Sequence, residues 1–144
     1  MTQIRDIMTS NVQTCSMSDS IEEVAMKMKN DNVGVIPIVE NRQLKGLITD
    51  RDIVLRCIAE KTSISAKVSE IMSNQLITVT PETPTQEAAR IMAKEQIRRL
   101  PVVEDGELVG IVALADLAVR DLTDDQAKIA LSEISEPDEN QPFH

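Results

Sequence analysis

The sequence predicts an α+β protein made of one small unit used twice, and three observations carry that expectation. The chain repeats itself at a constant offset of 64 residues, without a gap, across about fifty positions. Within each copy the apolar period switches from helical to strand-like and back. Each copy also contains a two-residue joint of hairpin type, Asn41-Arg42 and Asp105-Gly106. Laid over each other, Ile7 meets Ile71, Met8 meets Met72, Thr14 meets Thr78, Glu23 meets Glu87, and Met28 meets Met92. The later half agrees better: Ile36-Pro37-Ile38-Val39-Glu40 falls on Leu100-Pro101-Val102-Val103-Glu104, Gly46 on Gly110, and Asp52 on Asp116. A unit this small is too short to bury its apolar face alone, so the copies must pack together, with Ile7, Val24, Met28 and their mates in one shared core. The expected division is residues 1–60 for the first repeat, 61–67 for a linker, 68–122 for the second repeat and 123–144 for an acidic tail.

The elements follow in the same order in both copies. A short entry turn (residues 4–8 and 68–72) leads to a brief strand at residues 12–15 and 76–79. Ser20-Ile21-Glu22-Glu23 matches a capping box, and Ile21, Val24, Ala25 and Met28 continue it at helical spacing. The second helix opens at Thr83-Pro84 with proline at the first helical position, and Ala88, Ala89 and Met92 share one face. Two strands come next, at residues 34–40 and 43–48, and again around Asp105-Gly106. Pro37 and Pro101 mark the first strand of each hairpin as irregular or edge-like, because proline cannot donate to a ladder. A last helix spans residues 50–59, matched by 114–122. Its apolar residues Ile53, Val54, Leu55, Cys57 and Ile58, with Leu114, Leu117, Ala118, Val119 and Leu122 in the other copy, form a stripe wider than one packed face requires, which predicts a homodimer.

Composition removes whole classes of function. The only histidine is His144 and the only aromatic residue is Phe143, so histidine chemistry is excluded and the core must be aliphatic. Cys15 and Cys57 have neither metal-ligand spacing nor the pattern of a disulfide framework, and read as reduced thiols in a cytoplasmic protein. The amino terminus shows no signal-peptide pattern, and no apolar run is long enough to cross a bilayer. A net charge of −9 disfavours nucleic acid and anionic membranes. Six acids against Lys128 lie in residues 123–144, so most of that charge is tail; residues 125–134 are expected to form a short helix and 135–144 to fray.

The order strand, helix, strand, strand, helix, the hydrophobic-Pro-hydrophobic steps Ile36-Pro37-Ile38 and Leu100-Pro101-Val102, and Gly46-Leu47-Ile48-Thr49-Asp50-Arg51-Asp52 resemble a tandem pair of cystathionine-β-synthase (CBS) domains. The resemblance covers about residues 1–122. It implies a module with a pseudo-twofold axis and two clefts between the copies, which in many members bind AMP, ATP, S-adenosylmethionine or a related adenosine compound. It also implies frequent dimerisation, and regulation of another protein.

The residues support a site at the strand-to-helix loop. A carboxylate only accepts, so Asp52 can take both hydroxyl hydrogens of a ribose diol, while Thr49 can donate to or accept from sugar or phosphate. Thr49-x-x-Asp52 is also the pattern by which a helix caps its own start. The family resemblance implies ribose or phosphate contacts at Thr49 and Asp52. The second copy keeps Asp116 but has Ala113 where the hydroxyl would be. An apolar slot for the base, with backbone groups to read its edge, is expected from Thr14-Cys15 with Val35-Ile36-Pro37, and from Thr78-Val79 with Arg99-Leu100-Pro101. A phosphate needs cations, for which Arg51 and the pair Arg98-Arg99 are the candidates.

Other chemistry lacks machinery. Neither cysteine has a base, and Asp50 with Asp52 as a Mg²⁺ site for nucleotide hydrolysis is a poorer account than a helix cap plus a ligand contact. The expectation is therefore a non-catalytic sensor that needs no cofactor, takes an adenine nucleotide or S-adenosylmethionine as regulatory ligand and signals to an unidentified protein. The alternative is an oligomeric scaffold with empty clefts.

Overall fold

The computed structural model describes residues 2–74 and 76–119. They gather into two compact units that cut across the repeat. The first unit is Asn11–Ile77 with Asp105–Leu108; the second takes residues 2–10, Thr78–Glu104 and the described residues from 109 onward. Each entry turn thus belongs with the opposite copy.

In the first unit, α1 (Ile21–Asp31) begins where the sequence places it: Ser20 Oγ accepts from Glu23 N at 3.1 Å, and Glu23 reaches back to Ser20. Ile21, Val24 and Met28 make the buried face, and Asn32 ends the helix at φ 54°, a conformation asparagine tolerates. Strands β1 (Val35–Glu40) and β2 (Gln43–Thr49) form an antiparallel hairpin whose register runs from Val35↔Thr49 to Glu40↔Gln43, with an irregularity between Ile38 and Val39. Both joint residues take positive φ, Asn41 at 50° and Arg42 at 68°, so this turn has the same handedness as Asp105-Gly106 without a glycine. Then comes α2 (Asp50–Asp52), which runs directly into one turn of π-helix at Ile53–Ile58.

The second unit repeats the pattern with α3 (Thr85–Glu95), β3 (Arg99–Glu104), β4 (Glu107–Ala113) and α4 (Leu114–Val119). The β4 strand starts in the first unit, where Glu107 pairs with Gln43. Short 3-10 turns, Ile4–Asp6 and Val68–Glu70, are the two entry segments.

Glycine explains how the exchanged segments dock. A Cβ on Gly46 would lie 2.8 Å from Ser73 O and Met72 Sδ; one on Gly110 would lie 2.8 Å from Thr9 O and 2.9 Å from Met8 Sδ. The bridges Leu47↔Ser73 and Thr9↔Ile111 form at these two places. The repeated Gly-Met pairing in the sequence is therefore one contact made twice, glycine of one copy beneath the entry turn of the other.

Four expectations need correction. Residues 12–15 and 76–79 are not strands: each supplies a single parallel bridge, Cys15↔Ile38 and Val79↔Val102. Their β-prone residues make only two hydrogen bonds each to the neighbouring strand, Cys15 N to Pro37 O and Val39 N to Cys15 O in the first unit. Pro84 is the residue before α3, extended at ψ 143°, and not its first helical residue. Thr83 Oγ1 turns back to Thr80 N at 3.0 Å instead of capping the helix. The core expectation fails in a way that fits the exchange: the cluster containing Val24 and Met28 takes Ile71 and not Ile7, together with Ile21, Ile36, Ile38, Ile48 and Cys57. Burying each such aliphatic side chain contributes roughly 1.5–3 kcal/mol. The expected apolar stripe is partly consumed, since Cys57, Leu114 and Leu117 are buried. Leu122 and the acidic tail, for which a short helix at 125–134 and fraying at 135–144 are expected from the sequence, lie outside the described residues.

Candidate functional site

Each set of expected site residues falls inside one unit. In the first, two segments lie against β1: Thr14-Cys15 along its middle and Thr49 to Asp52 beside its start. Thr14-Cys15 is tied to β1 by Cys15 N donating to Pro37 O at 3.1 Å and Val39 N donating to Cys15 O at 2.8 Å. Because the Pro37 carbonyl points to this side, its missing N–H would have pointed there too, at a place where the bridge needs no donor. Val35 sits opposite Thr49 in the ladder, and Asp50 N donates to Gly34 O at 3.0 Å, which sets the helix start beside the strand start. The structure thus brings Thr14, Cys15, Val35, Ile36, Pro37, Thr49 and Asp52 into one neighbourhood. Cys15, Ile36 and Pro37 are buried, Thr14, Val35, Thr49 and Asp52 are half-buried, and Arg51 is exposed.

At the loop itself the capping pattern is complete. Asp52 N donates to Thr49 Oγ1 at 3.0 Å, and Thr49 N donates to Asp52 Oδ2 at 2.9 Å. The other carboxylate oxygen, Oδ1, lies 3.9 Å from Arg56 Nε. The cap uses one oxygen of Asp52, and the second faces Arg56 outside the cap.

The second unit has the same frame with half the cap. Val79 N donates to Pro101 O at 3.1 Å and Leu114 N to Arg98 O at 2.8 Å. Ala113 N donates to Asp116 Oδ2 at 3.3 Å, the counterpart of the Thr49 bond, while the return bond is lost with the hydroxyl. Asp116 thus has a structural task without a threonine partner. Thr78, Arg98 and Arg99 are exposed, and Val79, Leu100 and Pro101 are buried.

One residue of this neighbourhood escaped sequence reasoning. Lys27 Nζ donates to Thr14 O at 2.7 Å, occupying a carbonyl that the adenine slot was expected to offer. Its position aligns with Ile91, and that mismatch in the repeat was the available signal. Burial pushes the Cys15 thiol above its ordinary pKa, against the lowering pull of Lys27. It stays protonated near neutrality. Cys57 is also buried, with Sγ 3.2 Å from Thr62 O, and both cysteines are free. Among the described residues no group of three or more His, Cys, Asp or Glu could hold a metal ion, and no helix is long and apolar enough to cross a membrane.

This frame, repeated at one offset, matches the family model described as CBS domain twice, over residues 4–58 and 68–122. The chain belongs to the CBS domain family. The CBS domain-containing protein YhcV of Bacillus subtilis (strain 168) is 47% identical over 135 residues, covering 94% of this chain and 96% of its own. Among solved structures, the CBS domain pair of protein MJ0100, in complex with 5′-methylthioadenosine and S-adenosyl-L-methionine, is 31% identical with a TM-score of 0.75, covering 83% of this chain and 95% of its own. CBSX2 in complex with AMP is 26% identical with a TM-score of 0.75, covering 85% of this chain and 98% of its own. The α+β architecture of two CBS copies anticipated from the repeat is the one these neighbours have.

Proposed function

We propose that this CBS pair is a non-catalytic regulatory module that binds an adenosine-containing small molecule, of the adenine nucleotide or S-adenosylmethionine type, and passes the bound state to a partner protein. The observation that carries the reading is the placing of Thr14-Cys15 and of Thr49 to Asp52 against the same strand, β1, which carries Val35 to Pro37, with one Asp52 oxygen beyond the cap. The adenosine ligands of MJ0100 and CBSX2 support it. In this reading the apolar segments around Cys15 and Ile36 receive the base, Asp52 and Asp116 receive the ribose diols, and Arg51, Arg98 and Arg99 serve a phosphate where one is present. Two free, buried cysteines support residence in a reducing compartment such as the cytoplasm.

The test is calorimetric titration with AMP, ADP, ATP and S-adenosylmethionine, alongside unfolding midpoints, for the intact chain and Asp52→Ala. Each charge-assisted hydrogen bond is worth roughly 1.5–3 kcal/mol, so affinity should fall about ten-fold or more in the variant. The rival reading is a scaffold whose sites stay empty, in which Thr49 and Asp52 serve the cap alone. That reading expects a loss of about 1 kcal/mol in stability from Asp52→Ala and no titration heat from any of the four compounds.

The assembly we propose is a homodimer. Val54, Leu55 and Ile58 are 55%, 48% and 60% exposed on the π-helical turn, more apolar surface than one turn normally leaves to water. Light scattering should give about twice the 15.9 kDa chain mass; the single-chain mass at micromolar concentration would remove the proposal.

A further inference from the structure

Arg56 has two partners in the first unit, one at the candidate site and one on the entry segment. It stands four residues after Asp52, in the π-helical turn Ile53–Ile58, with its Nε 3.9 Å from Asp52 Oδ1. Its Nη1 donates at 3.2 Å to the carbonyl of Ile71, 15 residues on. That carbonyl leads into the segment docked over Gly46, where Ser73 N donates to Leu47 O at 2.9 Å and Leu47 N donates to Ser73 O at 3.1 Å. A Cβ on that glycine would lie 2.8 Å from Ser73 O and from Met72 Sδ. One guanidinium therefore spans the proposed ribose acid and the docked segment, and all of these residues belong to the same unit. The sequence repeats the combination, since Asp116, Arg120 and Ile7 match Asp52, Arg56 and Ile71 at the offset of 64, although Arg120 lies outside the described residues.

The distances give this arrangement a direction. A guanidinium one helical turn beyond a carboxylate can close on it at about 2.8 Å, in a charge-assisted hydrogen bond. At 3.9 Å this pair has not closed, and the same planar group is held by the carbonyl of Ile71. The cap consumes Asp52 Oδ2 through Thr49 N, so Oδ1 is the oxygen for which a ligand hydroxyl and Arg56 compete. While residues 71–73 are docked, Ile71 keeps Arg56 back and Oδ1 stays open to a ligand. Undocking releases the guanidinium to close on Oδ1 and block it. By linkage, a ligand that takes Oδ1 favours the docked segment by the same factor.

We infer that Arg56 is a positioning residue that couples occupancy of the first copy's ribose acid to docking of residues 71–73. This rests on the adenosine reading above, and names how the bound state leaves the site. The experiment is a double-mutant cycle read by calorimetric titration with AMP and, separately, with S-adenosylmethionine. Every chain in the cycle is full length and carries Asp116→Ala, which confines ribose binding to the first copy. Gly46→Ala crowds Ser73 O and Met72 Sδ, and so should weaken binding about five-fold where Arg56 is present but under about two-fold in the Arg56→Met background. Melting curves establish which variants are folded. Hydrogen exchange supplies a reading that does not need the glycine variant. A saturating concentration of either compound should slow exchange of the Ser73 and Leu47 amides, relative to those of α1, about five-fold with Arg56 present and not at all in Arg56→Met. An equal effect of Gly46→Ala with and without Arg56, or equal protection of those two amides with and without it, would overturn the coupling while leaving the adenosine reading intact. Absence of binding by both compounds would sink both.

Discussion

The loop Thr49 to Asp52 and the loop Ala113 to Asp116 are the same backbone with and without one hydroxyl. In the first, side chain and backbone exchange two hydrogen bonds; in the second only the acid reaches back, at 3.3 Å against 2.9 Å. The comparison separates two reasons for keeping an aspartate. Asp116 shows that an acid at this position is useful to its own backbone even where the cap partner is missing. The persistence of the acid in both copies therefore cannot by itself argue for ribose, whereas the second oxygen of Asp52, outside the cap, is where a functional reason has room to act.

The comparison can be broken most completely by separating the copies. Expressed apart, residues 1–62 and 63–144 each lack the entry segment that docks under their own glycine, since residues 2–10 belong with the second copy and 68–77 with the first. Neither half should show a cooperative thermal transition alone, and mixing them should restore one; a half that melts cooperatively by itself would mean the exchange is dispensable. The next largest effect tests whether the two docking contacts are equivalent. Gly46→Ala and Gly110→Ala each place a methyl group within 2.9 Å of a backbone carbonyl and a methionine sulfur, and each should cost about 1–3 kcal/mol in urea denaturation. A neutral result at either would show that its entry turn yields freely.

A smaller effect sharpens the loop comparison itself. Thr49→Ala should lose about 0.5–2 kcal/mol of stability by making the first cap like the second, and Ala113→Thr should recover part of that amount in the second copy. If Ala113→Thr destabilises, the second loop is not the simple truncation described above. The smallest effect concerns Cys15. Its folded thiol has a raised pKa, so the folded state holds its proton more tightly than the unfolded chain does. Its contribution to stability is present below the ordinary cysteine value and declines as pH rises through the raised one. Cys15 should resist alkylation at neutral pH in the native protein, and Cys15→Ser should flatten the alkaline fall in melting temperature; rapid native-state alkylation would contradict the burial.

Much of this architecture was legible because its causes are local. The Ser20 to Glu23 cap, the hairpin joints, the edge role of Pro37 and the helical faces of Ile21, Val24 and Met28 follow from residue chemistry at short spacing. The misplaced elements are those whose partners are distant. Residues 12–15 have strand composition, yet only Cys15 is bridged, because extended residues become a strand only where a neighbour runs alongside them. The expectation of one shared core for Ile7, Val24, Met28 and their mates misses the exchange of Ile7 and Ile71, because a repeat says which positions are equivalent and is silent on which copy each one packs against. The π-helical turn left no trace in composition either. At the site, the alignment of residues 34 and 35 with Arg98 and Arg99 was readable, but the carboxylate of Asp50 standing over Gly34 needed three dimensions.

The exchange of entry segments also bears on the order in which the chain is made. Residues 2–10 are made well before their partners, since Thr9 finds its pairing partner only when Ile111 has been synthesised, about a hundred residues later. Until then the apolar face of Ile4 and Ile7, buried in the finished protein, has nowhere to go. The first copy fares better, because its borrowed segment follows it directly and Ser73 can reach Leu47 before the rest of the second copy exists. Folding during synthesis is therefore staggered, with the first unit substantially closed while residues 2–10 still wait for the segment around Ile111 to complete the second.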